Sequence, residues 1–132
     1  MSNDLMSNEN LKNQPSRKKY DLRERTAKFG KNIINFAKII PEHSVTRPLI
    51  SQLVRAGTSV GANYCEADDA STKKDFFYKI GICRREAQET KHWLLMIMTA
   101  VPSLENNTSS LSAEAQELNL IFSAIINRRK ER

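Results

Sequence analysis

QLVRAGTSVGANYCEA, residues 52–67, has the period of a helix and carries polar residues along one face. Gln52, Arg55, Ser59, Asn63 and Glu66 recur at spacings of three and four, beside an apolar stripe of Leu49, Leu53, Ala56, Val60 and Tyr64. A polar stripe next to a buried one predicts partners on a neighbouring helix, because charges removed from water must be paired.

Outward from this stretch the chain reads as four helices. Asp21 followed by Glu24 has the form of a capping box, and Leu22, Thr26, Phe29, Ile33, Phe36 and Ile40 keep one seam until Pro41, which predicts a first helix over about 21–40. Thr46 and Pro48 open the second, which runs to about Ala70. Thr72 with Asp75 three residues on starts the third, whose seam of Phe76, Ile80, Cys83, Ala87, Thr90, Leu94, Ile97 and Val101 ends at Pro102. SLENNTSS reads as a linker, and Ser112 opens a fourth helix with the seam Ala115, Leu118, Phe122 and Ile125. Long amphipathic helices on short loops, with no strand signal, predict an all-α fold: an up-down-up-down antiparallel four-helix bundle over residues 20–132, preceded by a flexible polar and basic tail over 1–19.

Antiparallel pairing fixes which residues lie level. Turning near residue 70 sets Arg55 against Glu86 and Gln52 against Glu89. Gln52, Arg55, Asn63, Glu86 and Glu89 are therefore expected to form a buried structural network, with loss of Arg55 costing about 3 kcal/mol. The first turn sets Gly30 opposite Gly57, and Gly61 falls level with Gly81. A glycine inside a helix costs about 1 kcal/mol against alanine, so these positions predict close backbone approach. GTSVGAN follows no strand and precedes no Gly-Lys pair, which separates it from a phosphate loop.

Composition bounds the function. The 132 residues form one domain, 39% hydrophobic and 27% charged, with no leader pattern and no apolar run long enough to span a membrane. A cytoplasmic protein is expected. Cys65 and Cys83 lack metal-ligand spacing. His43 and His92 stand apart, without a nucleophile or a paired base. Asp68, Asp69 and Asp75 cluster as a Mg²⁺-dependent nuclease would require, yet Lys73 and Lys74 lie among them and Thr72 with Asp75 is explained by capping. No catalytic, cofactor or metal-ligating residue is assigned.

Charge is distributed unevenly. The bundle topology gathers Arg17, Lys18, Lys19, Arg23, Arg25, Lys28, Lys31, Lys73, Lys74, Arg128, Arg129, Lys130 and Arg132 at one end, with Asp21, Glu24, Glu66, Asp68, Asp69, Asp75 and Glu131. Thirteen bases against seven acids differ by the whole net charge of +6. All but Arg132 of these bases are candidate nucleic-acid contacts, through phosphates and counterion release. Phe77, Trp93, Leu95, Met96 and Met98 lie off the third seam and predict burial against a further chain.

Together with the opening stretch, DLRERT (21–26), Ile40 with Pro41, STKKDF (71–76), Glu86, Glu89 and HWL (92–94) give the chain a pattern that resembles the 23S rRNA intervening-sequence protein family, also called four-helix bundle proteins. Gly57, Tyr64 and His92 depart from that pattern without disturbing its helices. The resemblance implies a protein encoded within an insert of a 23S rRNA gene, or similar to accessory proteins of diversity-generating retroelements, and assembled as a homopentamer. It implies a non-enzymatic bundle that binds RNA or other nucleic acid. The rival expectation is an adaptor for a protein partner such as a reverse transcriptase.

Overall fold

The computed structural model describes residues 17–130, with side chains described from Leu22 to Arg129. Residues 1–16, within the expected tail, lie outside the described residues, as do Glu131 and Arg132. Among those described, α1 (Arg17–Ala37), α2 (Thr46–Asp68), α3 (Lys73–Ala100) and α4 (Glu105–Lys130) follow one another, with a 3₁₀ turn at Pro102–Leu104 and no strand. They form the expected all-α antiparallel bundle, in which α3 packs on both α2 and α4, and α1 lies mainly on α2.

The seams form the core. Phe29 and Ile33 of α1, Leu53 and Val60 of α2, Ile80 and Leu94 of α3, and Leu118 and Phe122 of α4 are all buried, each contributing about 1.5–3 kcal/mol by leaving water. Tyr64 and Phe122 meet across the bundle with ring centroids 6.5 Å apart.

The helix ends depart from expectation in instructive ways. α1 begins at Arg17, so Asp21 lies inside a helix already under way and residues 17–19 are helical. At its other end the helix stops at Ala37, and tighter bonds from Ile39 and Ile40 N–H to the Phe36 and Ala37 carbonyls carry Ile40 into the core. Thr46 opens α2 without capping it. Its hydroxyl donates to the Pro41 carbonyl at 2.6 Å and accepts from His43 N–H at 3.0 Å, which stitches the turn. Thr72 does cap α3, accepting from Asp75 N–H at 3.1 Å.

The largest correction is at α4, which starts seven residues before Ser112, within the SLENNTSS stretch. Leu104, Thr108 and Leu111 extend the seam upstream at spacings of four, three and four to Ala115. Thr108 is buried, with its hydroxyl bonded to the Glu105 carbonyl at 2.9 Å, so a polar residue occupies a core position. The apolar pattern is interrupted there while the helix is not.

Glycine permits α1 and α2 to approach closely. A Cβ on Gly57 would stand 2.8 Å from Ile33 Cγ1, and one on Gly61 would stand 3.2 Å from the Thr26 carbonyl oxygen. Gly30 faces Thr58 and Gly57 as the level pairing predicts. Gly61 turns to α1 and not to Gly81, where an added Cβ would meet nothing within 4 Å.

Cys83 is fully buried and its thiol lies 3.6 Å from the Val60 carbonyl. Burial, which disfavours the thiolate, pushes its pKa from 9.0 up to about 12. Burial likewise raises the Tyr64 hydroxyl above its ordinary value.

Two outcomes follow for stability. Gly57→Ala lowers it by about 1–3 kcal/mol through overpacking on Ile33, whereas Gly81→Ala raises it by about 1 kcal/mol through helix propensity, both read from urea unfolding monitored by circular dichroism. Above pH 9 the unfolded chain loses the Cys83 proton that the folded chain keeps, so stability falls by about 1.4 kcal/mol per pH unit. The fall continues toward pH 12. Cys83→Ala removes that slope between pH 9 and 10, below the range in which Tyr64 adds its own.

Candidate nucleic-acid interface

The amphipathic helices alternate in direction, which brings the starts of α1 and α3 to the ends of α2 and α4. Two contacts tie that end together. Arg23 of α1 bonds Asp68 at the end of α2, Nη2 to Oδ2 at 2.8 Å, with Asp69 at 3.6 Å. Arg129 of α4 lies over the Phe77 ring of α3, 5.5 Å from its centroid.

Apart from Arg129, which packs on Phe77, the candidate contacts expected at this end divide into three groups. Lys28, Lys31, Lys73, Lys74 and Arg128 are exposed, with no ion pair among the described residues. Arg17, Lys18, Lys19 and Lys130 occupy helical backbone, and their side chains lie outside the description. Arg23 and Arg25 are engaged within the chain, since both guanidiniums are held by carboxylates. The hydrogen bond to Asp68 raises the Arg23 pKa above its ordinary value, while Arg25 grips both oxygens of Glu114 at 2.8 Å. Glu114 stands in the first half of α4, well away from the basic end, so α1 crosses α4 at an incline. Level pairing along parallel axes does not anticipate that contact. Lys79 adds a further internal pair with Glu66 at 2.6 Å, which raises the Lys79 pKa.

Arg84 and Arg85 of α3 were absent from the expected set. They are exposed, unpaired among the described residues, and line a groove between α3 and α4. Their signal in the sequence is an Arg-Arg pair between the seam residues Cys83 and Ala87, which turns both side chains outward.

The polar stripe of α2 meets α3. Arg55 bonds Glu86 at 3.3 Å and also Glu89, while its Nε donates to Gln52 Oε1 at 3.0 Å. Trp93 Nε1 donates to Glu89 at 3.0 Å. Gln52 thus reaches Glu89 through Arg55, with Arg55 between them. Asn63 stays on its own helix and donates to the Ser59 carbonyl at 2.8 Å. The network is shallower than expected: the Arg55 side chain is 45% exposed against 15% for Glu86. Water therefore screens the cation, and the pairing holds register at the bundle surface.

Among the described residues no group of three His, Cys, Asp or Glu side chains could hold a metal ion. Asp68 and Asp69 face Arg23, and Asp75 lies in the first turn of α3. No described helix is long and apolar enough to cross a membrane. Of the off-seam apolar residues, Phe77 and Trp93 are partly covered by the chain itself, while Leu95 is 50% exposed.

Residues 18–124 match the model of the 23S rRNA-intervening sequence protein family. No curated protein matches the chain. A crystal structure of a protein of unknown function from the S23 ribosomal protein family of Bacteroides thetaiotaomicron superposes with a TM-score of 0.70 at 28% identity, covering 80% of this chain and 97% of that one.

Exposure of Arg55 sets the size of its contribution. Arg55→Ala is expected to cost about 1 kcal/mol, the upper range for a surface pair, and not the 3 kcal/mol of a buried one. Thermal unfolding should show a fall of a few degrees. A larger loss would mean that Glu86 depends on this one partner.

Proposed function

The chain belongs to the 23S rRNA-intervening sequence protein family, and from that premise we propose that it is a non-enzymatic cytoplasmic bundle that self-assembles and binds RNA through phosphate contacts at its basic end. The observation that carries the reading is the separation of the cations into two kinds. Arg23, Arg25 and Lys79 are paired with carboxylates of the chain itself. Lys28, Lys31, Lys73, Lys74 and Arg128 remain exposed and unpaired among the described residues. Exposed, unpaired cations release counterions from a polyanion and attract it at long range. Because these contacts address phosphates and not base edges, binding should depend weakly on sequence.

Self-assembly is supported by Tyr78 and Leu95 of α3, 63% and 50% exposed. Side chains of that size are covered at low cost by a second copy. A pentamer is the assembly favoured by the family resemblance. A ring multiplies modest contacts by presenting several basic ends to one strand. The same apolar residues support the alternative, an adaptor that docks a protein partner such as a reverse transcriptase.

Fluorescence anisotropy with two structured RNAs of unrelated sequence tests the RNA reading. Both should bind, and Lys73→Gln/Lys74→Gln/Arg128→Gln should flatten the dependence of log affinity on log salt by roughly one unit per lost contact. Light scattering should report an oligomer before and after substitution. Absence of binding at about 50 mM salt, where electrostatic association is strong, would give the adaptor reading its place.

A further inference from the structure

Gly57 and Gly61 have their reason inside the chain, where α1 and α2 approach closely. Gly81 has none, because a Cβ there would meet nothing within 4 Å. A glycine in the middle of α3 sacrifices helix propensity without gaining internal packing, and leaves the helix backbone open to something from outside.

Gly81 borders a groove of about 500 Å³ between α3 and α4, completed by Arg84, Arg85, Gln88, Asn119 and Ser123. That volume lies within the range of about 300–1,000 Å³ found for ligand sites. No carboxylate lines it, and neither arginine has an ion pair among the described residues. Asn119 supplies a second irregularity: its Oδ1 is enclosed and accepts no hydrogen bond from the described chain. A buried acceptor left in this way needs a donor.

We propose that this groove holds the sugar-phosphate backbone of an RNA strand, with phosphates on Arg84 and Arg85 where the helix surface is left low at Gly81. The assignment rests on the RNA reading above and adds its contact site. Guanidinium forks match phosphate oxygens in pairs. Gln88 and Ser123 add neutral donors to the same wall. An apolar face of a second copy fits less well, since it would desolvate both guanidiniums without pairing them.

Anisotropy titrations of the full chain with a labelled single-stranded RNA, and with the DNA strand of the same sequence, test the assignment. Arg84→Gln/Arg85→Gln should lower the log-log salt slope by about two units. Gly81→Leu, whose Cβ would meet nothing within 4 Å and whose branch would narrow the groove, should weaken RNA binding about tenfold while light scattering reports an unchanged mass. Undiminished RNA binding in the arginine and glycine variants overturns the groove, and does so alone if the lysine variant at the basic end still weakens binding. A lower mass for Gly81→Leu also overturns it by making the groove a subunit interface. Failure of the unmodified protein to bind either strand overturns both readings together.

Discussion

The contact on which the rest of the bundle depends is that of Ile33 against bare backbone at Gly57. The isobutyl-sized side chain occupies the space a methyl group on α2 would need, within 2.9 Å, so α1 and α2 meet with little lateral freedom. Gly61 repeats the arrangement one turn further on, against the Thr26 carbonyl. With that pair locked on one side, the apolar stripe of α2 faces the bundle interior, and its polar stripe is left where only α3 can reach it. Arg55 then finds Glu86 and Glu89, and Glu66 finds Lys79.

This division of labour accounts for the charged residues that recur along α2. Glu66, Glu86 and Glu89 are each matched to a base across the α2–α3 pair. Such pairs contribute modestly to stability individually but discourage any sliding of α3 by one turn, which would bring Arg55 away from both glutamates. Apolar seams alone discriminate poorly between registers a heptad apart.

The same logic sorts the cations. A basic side chain that bridges two helices is a structural tie, however close it lies to a positively charged surface. Arg25 is the instructive case, because its fork-to-fork grip on Glu114 joins the first helix to the last, which otherwise touch little. What remains for a polyanion is the set outside such ties, at the basic end and along the α3–α4 surface.

Periodicity alone carried the four helices, the turns at Pro41 and Pro102, the Thr72 cap and the facing of Arg55 with Glu86, because each of these depends on residues close in sequence or on a count of helical rise. It misplaced the start of α4, since Thr108 looks like linker until its hydroxyl is seen bonded to its own helix and its methyl in the core. It also grouped Arg25 with the free cations and left out Arg84 and Arg85. Which cations are paired depends on the incline between helices and on rotamers chosen in packing, and neither has a period that sequence spacing can carry. The tertiary structure decided those matters, and with them that Gly81 stands open while Gly57 is closed: the two residues are identical in the chain, and only what lies across from each one separates a packing contact from an accessible surface.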